Sequence, residues 1–154
     1  MTVELNKKVP NFSAEATGGV FELSALTGKT LVLYFYPKDS TPGCTTEAQQ
    51  FSALNNDFTQ ANAVIVGVSR DSLKSHENFI VKQAIPYSLI SDPDEAVCER
   101  FGVMKLKNMY GKQVRGIERS TFVIDAQGKL VHEWRGVKVP GHAAEVLAFV
   151  QSLG

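Results

Sequence analysis

Cys44 is the side chain in this sequence with the clearest capacity for chemistry. It lies in the stretch Tyr36-Pro37-Lys38-Asp39-Ser40-Thr41-Pro42-Gly43-Cys44-Thr45-Thr46-Glu47, between the apolar run Leu31–Tyr36 and a segment with helical periodicity. That order reads as strand, loop and helix, with the cysteine on the first helical turn. Backbone N–H groups there lack partners inside the helix, and the helix dipole is positive at that end. Both favour the thiolate, the form that attacks as a nucleophile. The stretch therefore reads as a reactive cysteine in a shaped anion pocket. Its loop is not of the phosphatase type, which would need an arginine at position 50, where Gln50 stands. There is no C-x-x-C, and His76, His132 and His142 are scattered, none at zinc-finger distance from a cysteine. No metal site is expected from that spacing.

The rest of the chain must hold this pocket. Its 154 residues fit one domain spanning 1–154. Hydrophobic residues make up 44% and charged residues 21%, an ordinary globular balance that excludes a disordered chain. Sixteen basic and sixteen acidic residues cancel, so no electrostatic nucleic-acid binder is expected. Leu31–Tyr36 and Ala63–Val68, the longest apolar runs, are too short to cross a bilayer. The N-terminal Met1–Lys8 stretch lacks the apolar core of a signal peptide, so the expected location is the cytoplasm.

Gly18-Gly19 between extended segments reads as a tight reversal, and Ser24 as the cap of one short helical turn. Residues 30–36, β-branched and aromatic without alternation, suit a strand buried on both faces, as do residues 63–69. Ala48, Phe51, Leu54 and Phe58 form one helical stripe after Cys44. Asp71 or Ser72 caps the next helix, which carries Phe79 and Ile80. Residues 87–91 read as a short strand, and Asp92-Pro93 as the opening of a helix carrying Val97, Cys98 and Phe101. Residues 103–119 are basic and weakly periodic, and 105–119 read as a solvated loop. Ser120–Asp125 and Lys129–Arg135 form a hairpin, and residues 142–153 an amphipathic helix. The order predicts an α/β fold, a central mixed sheet flanked by helices on both faces.

Pro37, Thr41 and Cys44 fill the Pro-x-x-x-Thr-x-x-Cys pattern, and the chain here resembles the peroxiredoxins. Thr41-Pro42-Gly43-Cys44-Thr45, with Glu47 three residues past the cysteine, is similar to the bacterioferritin comigratory protein branch. Val9-Pro10-Asn11-Phe12, Phe101-Gly102-Val103 and Gly116–Asp125 extend the resemblance from residue 9 to the C-terminal helix. It implies a thioredoxin-like fold and thiol-dependent reduction of hydrogen peroxide and organic hydroperoxides. No metal, flavin or haem cofactor is implied, and a monomer is expected. The implied catalytic residues are Cys44, Thr41, Arg119 and Pro37. Gly43, Thr41 and Arg119 are the implied substrate-binding residues, with Glu47 and Pro42 in support.

Physical chemistry says what those residues must supply. A free thiol of pKa ~8.5 is about 3% thiolate at neutral pH, so full ionisation gains at most ~30-fold. Nucleophilicity falls with pKa and erodes that gain. The remaining acceleration must come from stabilising charge that develops on the peroxide oxygens. Thr41 can orient the peroxide, the amides of Gly43 and Cys44 can donate to it, and Gly43 admits close backbone approach. Pro37 and Pro42 restrict the loop. Arg119 is the cation that favours the thiolate and polarises the O–O bond. Glu47 is a first-turn carboxylate that can hold an arginine or the loop in place.

The sequence departs from the branch in its second cysteine. Where many members carry a resolving cysteine five residues after the first, this chain has Gln49, and none lies near Phe79 either. Only Cys98 remains. The expected cycle is one-cysteine: Cys44 is oxidised to a sulfenic acid, then reduced by thioredoxin, glutaredoxin or glutathione. The alternatives are a cycle in which Cys98 resolves, or a redox sensor or binding module without turnover.

Overall fold

The structure is a computed structural model that describes residues 2–153. A hairpin of β1 (Ser13–Ala16) and β2 (Gly19–Glu22) leads into a single 3-10 turn, Leu23–Leu26. Glu22 occupies the position before that turn, so Ser24 lies inside it rather than capping it. Then follow β3 (Thr30–Phe35), α1 (Pro42–Ala53), α2 (Asn55–Gln60), β4 (Ala63–Ser69), α3 (Leu73–Gln83), β5 (Ser88–Ser91) and α4 (Ala96–Phe101). The chain finishes with β6 (Met104–Met109), β7 (Lys112–Ile117), β8 (Ser120–Ile124), β9 (Leu130–Arg135) and α5 (His142–Ser152).

Seven strands form the expected mixed sheet in the order β2-β1-β5-β4-β3-β8-β9. β3 pairs parallel with β4, and β4 with β5, while β3 pairs antiparallel with β8. Both faces are covered, which is why β3 and β4 read as unbroken apolar runs. Leu31, Leu33 and Phe35 face one side, with Val66, Val68, Phe122, Ile124 and the α4 residues Val97, Cys98 and Phe101. Val32, Tyr34 and Tyr36 face the other, with Phe51 and Ala48 of α1, Phe58 of α2, Phe79 of α3 and Val146 of α5. Cys44 belongs to this second layer and Cys98 to the first, so the sheet lies between the two thiols.

Three local expectations are corrected. The stripe after Cys44 is two helices, because Leu54 turns to ψ 3° between α1 and α2. The helix near Asp92 begins only at Ala96. Asp92 holds its start from outside, accepting from the amides of Val97 and Cys98 at 3.0 and 2.8 Å. Residues 105–119 are no solvated loop: they lie largely in the hairpin β6–β7, in register from Met104 opposite Ile117. Tyr110 and Gly111 turn it with φ of +54° and +78°, the paired left-handed conformations of a two-residue turn. The caps behaved more simply, since Ser72 accepts from the Ser75 amide at 3.2 Å and starts α3. Among the described residues no helix is long and apolar enough to cross a membrane.

Candidate active site

Strand β3 and helix α1 together deliver Cys44. Tyr36 keeps one further sheet bond, its amide donating to the Val68 carbonyl at 3.0 Å, and Pro37 then has no N–H with which to continue. Helix α1 opens with Pro42, which tolerates that position because its missing N–H would be orphaned anyway. The helical ladder starts when Thr45 N–H donates to the Thr41 carbonyl at 2.9 Å. The Gly43 and Cys44 amides therefore precede the ladder at the positive end of a three-turn helix. Thr41 sits at the cap in extended conformation, yet its hydroxyl does not cap the helix. It donates instead to the Lys38 carbonyl at 2.8 Å. With its proton engaged there, the Thr41 oxygen is placed to accept, as from the O–H of a hydroperoxide.

Arg119 arrives from across the sheet, just ahead of β8 and 75 positions along the chain. Its guanidinium lies 3.4 Å from Cys44 Sγ. A second nitrogen of the same group donates to Glu47 Oε1 at 2.6 Å. Glu47 stands one turn below Cys44 on α1, so the guanidinium bridges two residues of one helix face. Burial lifts the Glu47 carboxyl to about 7, against the pull of Arg119, and its second oxygen is buried without a hydrogen-bond partner. Arg119 itself is held charged: burial works against it, but Glu47 and Cys44 more than offset that. Gly43 completes the wall. A Cβ added there would sit 3.3 Å from the guanidinium, so glycine lets backbone and cation approach closely.

The loop between Pro37 and Thr41 is anchored by a residue that sequence reasoning passed over. Asp39 is buried and accepts from Tyr36 Oη at 2.6 Å and Ser75 Oγ at 2.8 Å. Its amide donates to Asp71 at 2.9 Å. His76, also fully buried, sets Nδ1 2.7 Å from Asp39 and Nε2 2.8 Å from the Ile90 carbonyl. Burial tends to raise the Asp39 carboxyl, but hydrogen bonds from His76, Tyr36 and Ser75 outweigh it and hold it below the usual carboxylate range. Ser40 is pinned between this anchor and Thr41 at a left-handed φ of +63°. The spacing of Asp39, Asp71 and His76 gave no hint of this, yet their ligand-type atoms lie within 4.8 Å of one another. Each already takes part in hydrogen bonds that fix the loop.

Cys44 is 2% exposed, and Cys98 is wholly buried on the far side of the sheet; both are free thiols. Burial and the neighbouring Asp92 carboxylate push the Cys98 thiol far up, away from thiolate. Lys107, which the sequence placed in a solvated loop, is half-buried and donates to the Ile117 carbonyl at 2.5 Å. Burial and Arg119 lower its ammonium pKa, while Cys44 pulls the other way, so it shares the field of the site. Pro37 is partly covered and Pro42 exposed, framing the loop at its two ends.

Residues 5–133 match the AhpC/TSA family. Over 130 residues the chain is 59% identical to a protein named Peroxiredoxin Bcp from Xanthomonas campestris pv. campestris, covering 84% of this chain and 81% of that one. A solved Xanthomonas campestris bacterioferritin comigratory protein, described with its alkyl peroxide reduction activity, superposes with a TM-score of 0.88. It is 55% identical, covering 92% of this chain and 91% of that one. A cysteine-to-serine mutant of PrxQ from Xylella fastidiosa gives a TM-score of 0.93 at 44% identity, covering 99% and 98% of the two chains.

Proposed function

The chain belongs to the AhpC/TSA family and is a peroxiredoxin-type thiol peroxidase on a thioredoxin-like fold, and from that premise we propose that it reduces hydrogen peroxide and alkyl hydroperoxides in a one-cysteine cycle at Cys44. The Cys44 thiolate attacks the terminal peroxide oxygen. The O–O bond breaks, water or an alcohol leaves, and a sulfenic acid remains on the sulfur. Thr41 accepts from the peroxide O–H, while Arg119 and the Gly43 and Cys44 amides stabilise the charge that grows on the oxygens. An external thiol, supplied by thioredoxin, glutaredoxin or glutathione, attacks the sulfenic sulfur, forming a mixed disulfide as the hydroxyl leaves as water; a second thiol of the reductant then breaks that disulfide and frees Cys44. The two electrons come from those two thiols, so the cycle needs no resident metal, flavin or haem. We assign the chain to the cytoplasm as a single-domain monomer.

One observation carries the reading: the Arg119 guanidinium 3.4 Å from a sulfur at a helix N-terminus, braced by Glu47. The position of Cys98 supports the one-cysteine form. Disulfide geometry brings Cα atoms within ~7 Å, and here the central sheet separates the two layers that hold the cysteines. Stopped-flow mixing of the reduced protein with hydrogen peroxide and with an alkyl hydroperoxide tests the proposal. Oxidation many orders faster than that of a free thiol, lost in Cys44→Ser, is expected. A rate no greater than a free thiol's would refute it and favour a slow sensor.

A further inference from the structure

The hairpin β6–β7 forms a sheet of its own, paired with nothing but itself among the described residues. Its base is rooted in the core through Val103 and Ile117, both buried. Beyond the base, large apolar side chains face water: Leu106 is 69% exposed, Val114 44% and Tyr110, at the tip, 100%. Every charge from residue 104 to 117 is positive, on Lys105, Lys107, Lys112 and Arg115. Arg115 is tied to Glu95 and Glu99, and Lys107 turns inward to Ile117, so Lys105 and Lys112 are the outward cations. A two-stranded ribbon is marginal alone in water, and exposed apolar surface with a polar rim marks a place where something binds.

Its position says what binds there. From the end of β7 at Ile117 only Glu118 intervenes before Arg119, whose guanidinium touches the Cys44 sulfur, so the ribbon stands at the rim of the site. That sulfur is almost wholly buried, and the chain's other thiol lies on the opposite face of the sheet. A reducing thiol must therefore come from outside and approach past this rim. Six-residue strands give a ribbon roughly 20 Å long, larger than a tripeptide thiol needs and suited to a protein surface. A second copy of the chain is a poor occupant, because it would bring the same lysines face to face.

We propose that β6–β7 is the docking surface for a protein dithiol whose face around its reactive cysteine is apolar and acidic. The inference rests on the peroxidase reading. The dithiol's first sulfur attacks the Cys44 sulfenic acid, an S–S bond forms, and the hydroxyl leaves as water. Its second sulfur then breaks that mixed disulfide, releasing Cys44 as thiolate and the partner as an intramolecular disulfide. Two electrons pass from the dithiol to the sulfenic acid.

The test compares two reductants, a bacterial thioredoxin and dithiothreitol, on three proteins: wild type, Leu106→Ser/Tyr110→Ser and Lys105→Glu/Lys112→Glu. The expected result is that kcat/KM for thioredoxin falls roughly tenfold or more in both variants. The charge variant's deficit should shrink as salt rises. Turnover with dithiothreitol and single-turnover oxidation of Cys44 by peroxide should be unchanged, which also shows that the variants are folded. Unchanged kcat/KM for thioredoxin overturns the proposal, as does a wild type reduced by dithiothreitol but not by thioredoxin. Equal losses with both reductants overturn it too, since the ribbon would then act on the site itself. A wild-type Cys44 that peroxide fails to oxidise would instead bring down the peroxidase reading beneath it.

Discussion

Replacing Arg119 with methionine separates two jobs that a cation beside a sulfur can do. At 3.4 Å, with an effective dielectric near 20, the guanidinium is worth about 5 kcal/mol to the thiolate. Glu47 shares the same guanidinium at 2.6 Å, so part of that charge is already opposed. Cys44 and Arg119 are both largely covered, which limits screening by salt. If favouring the thiolate were the only job, the variant should attack at least as fast as wild type once its thiolate is fully formed. A cation that also stabilises the departing oxygen predicts the reverse, a loss of roughly 10²-fold that persists at high pH. The assay is the bimolecular rate of Cys44 oxidation across pH, beside the thiolate absorbance of the same samples. A plateau in Arg119→Met equal to or above wild type would refute the transition-state role. Glu47→Gln/Arg119→Met serves as the control for a carboxylate left without its partner.

Three further outcomes are expected. Gly43→Ala gains helix propensity, so the fold should hold or strengthen by up to ~1 kcal/mol; its new methyl meets the guanidinium at 3.3 Å, so peroxide oxidation should slow, and an unchanged rate would argue against close approach there. Glu47, raised from 4.5 to about 7, favours folding when neutral. Its contribution is complete below about pH 4.5 and fades as pH rises through about 7, roughly 3 kcal/mol in all. Urea midpoints of wild type and Glu47→Gln should thus diverge across that window, with the wild type losing more; a constant difference would show that the carboxyl is not raised. Cys98→Ala should leave turnover with an external thiol intact, and peroxide-treated wild type should show no Cys44–Cys98 disulfide by mass spectrometry.

What was legible in the chain was whatever leaves a local trace. β3 and β4 announced themselves because strands covered on both faces cannot alternate, and their runs of Leu, Val, Ile and aromatics say so. Cys44 was legible because strand, proline and helix stripe fix where it falls on α1. Glu47 beneath Cys44 follows from helical spacing alone. Arg119 was named from a resemblance, since nothing local in Glu118-Arg119-Ser120 indicates a sulfur 75 positions away. The anchor formed by Asp39, His76 and Asp71 was missed for the same reason. Each residue is an unremarkable polar side chain until β4 and α3 pack against the loop, and only then is Asp39 buried and surrounded by donors.

The hairpin β6–β7 was missed for a different reason, and it bears on function. Periodicity in a sequence records burial: a strand shows period 2 when one face is wet and the other dry. Leu106 lies opposite Arg115 and Val114 opposite Lys107, so each face of the ribbon mixes apolar and cationic residues and neither is covered. Beyond the base no face is selected by the core, and the alternation of Met104 to Lys107 stops after four residues and is not continued in Lys112–Ile117. Tyr110 and Gly111 take the left-handed conformations of the turn, but a lone glycine between short, unevenly patterned segments does not mark a hairpin in a sequence. A segment that stays ordered while its pattern answers to no internal face is one whose side chains are free to answer to an external one. The arm shaped this way is also the arm that carries Arg119 to the sulfur. Contact with a reductant along the ribbon would therefore be made on a hairpin that ends two residues before Arg119, distinct from the side chain that sets the charge at Cys44, so exchanging Leu106 and Tyr110 for serine should change how a protein thiol finds the oxidised sulfur while leaving how peroxide finds the reduced one untouched.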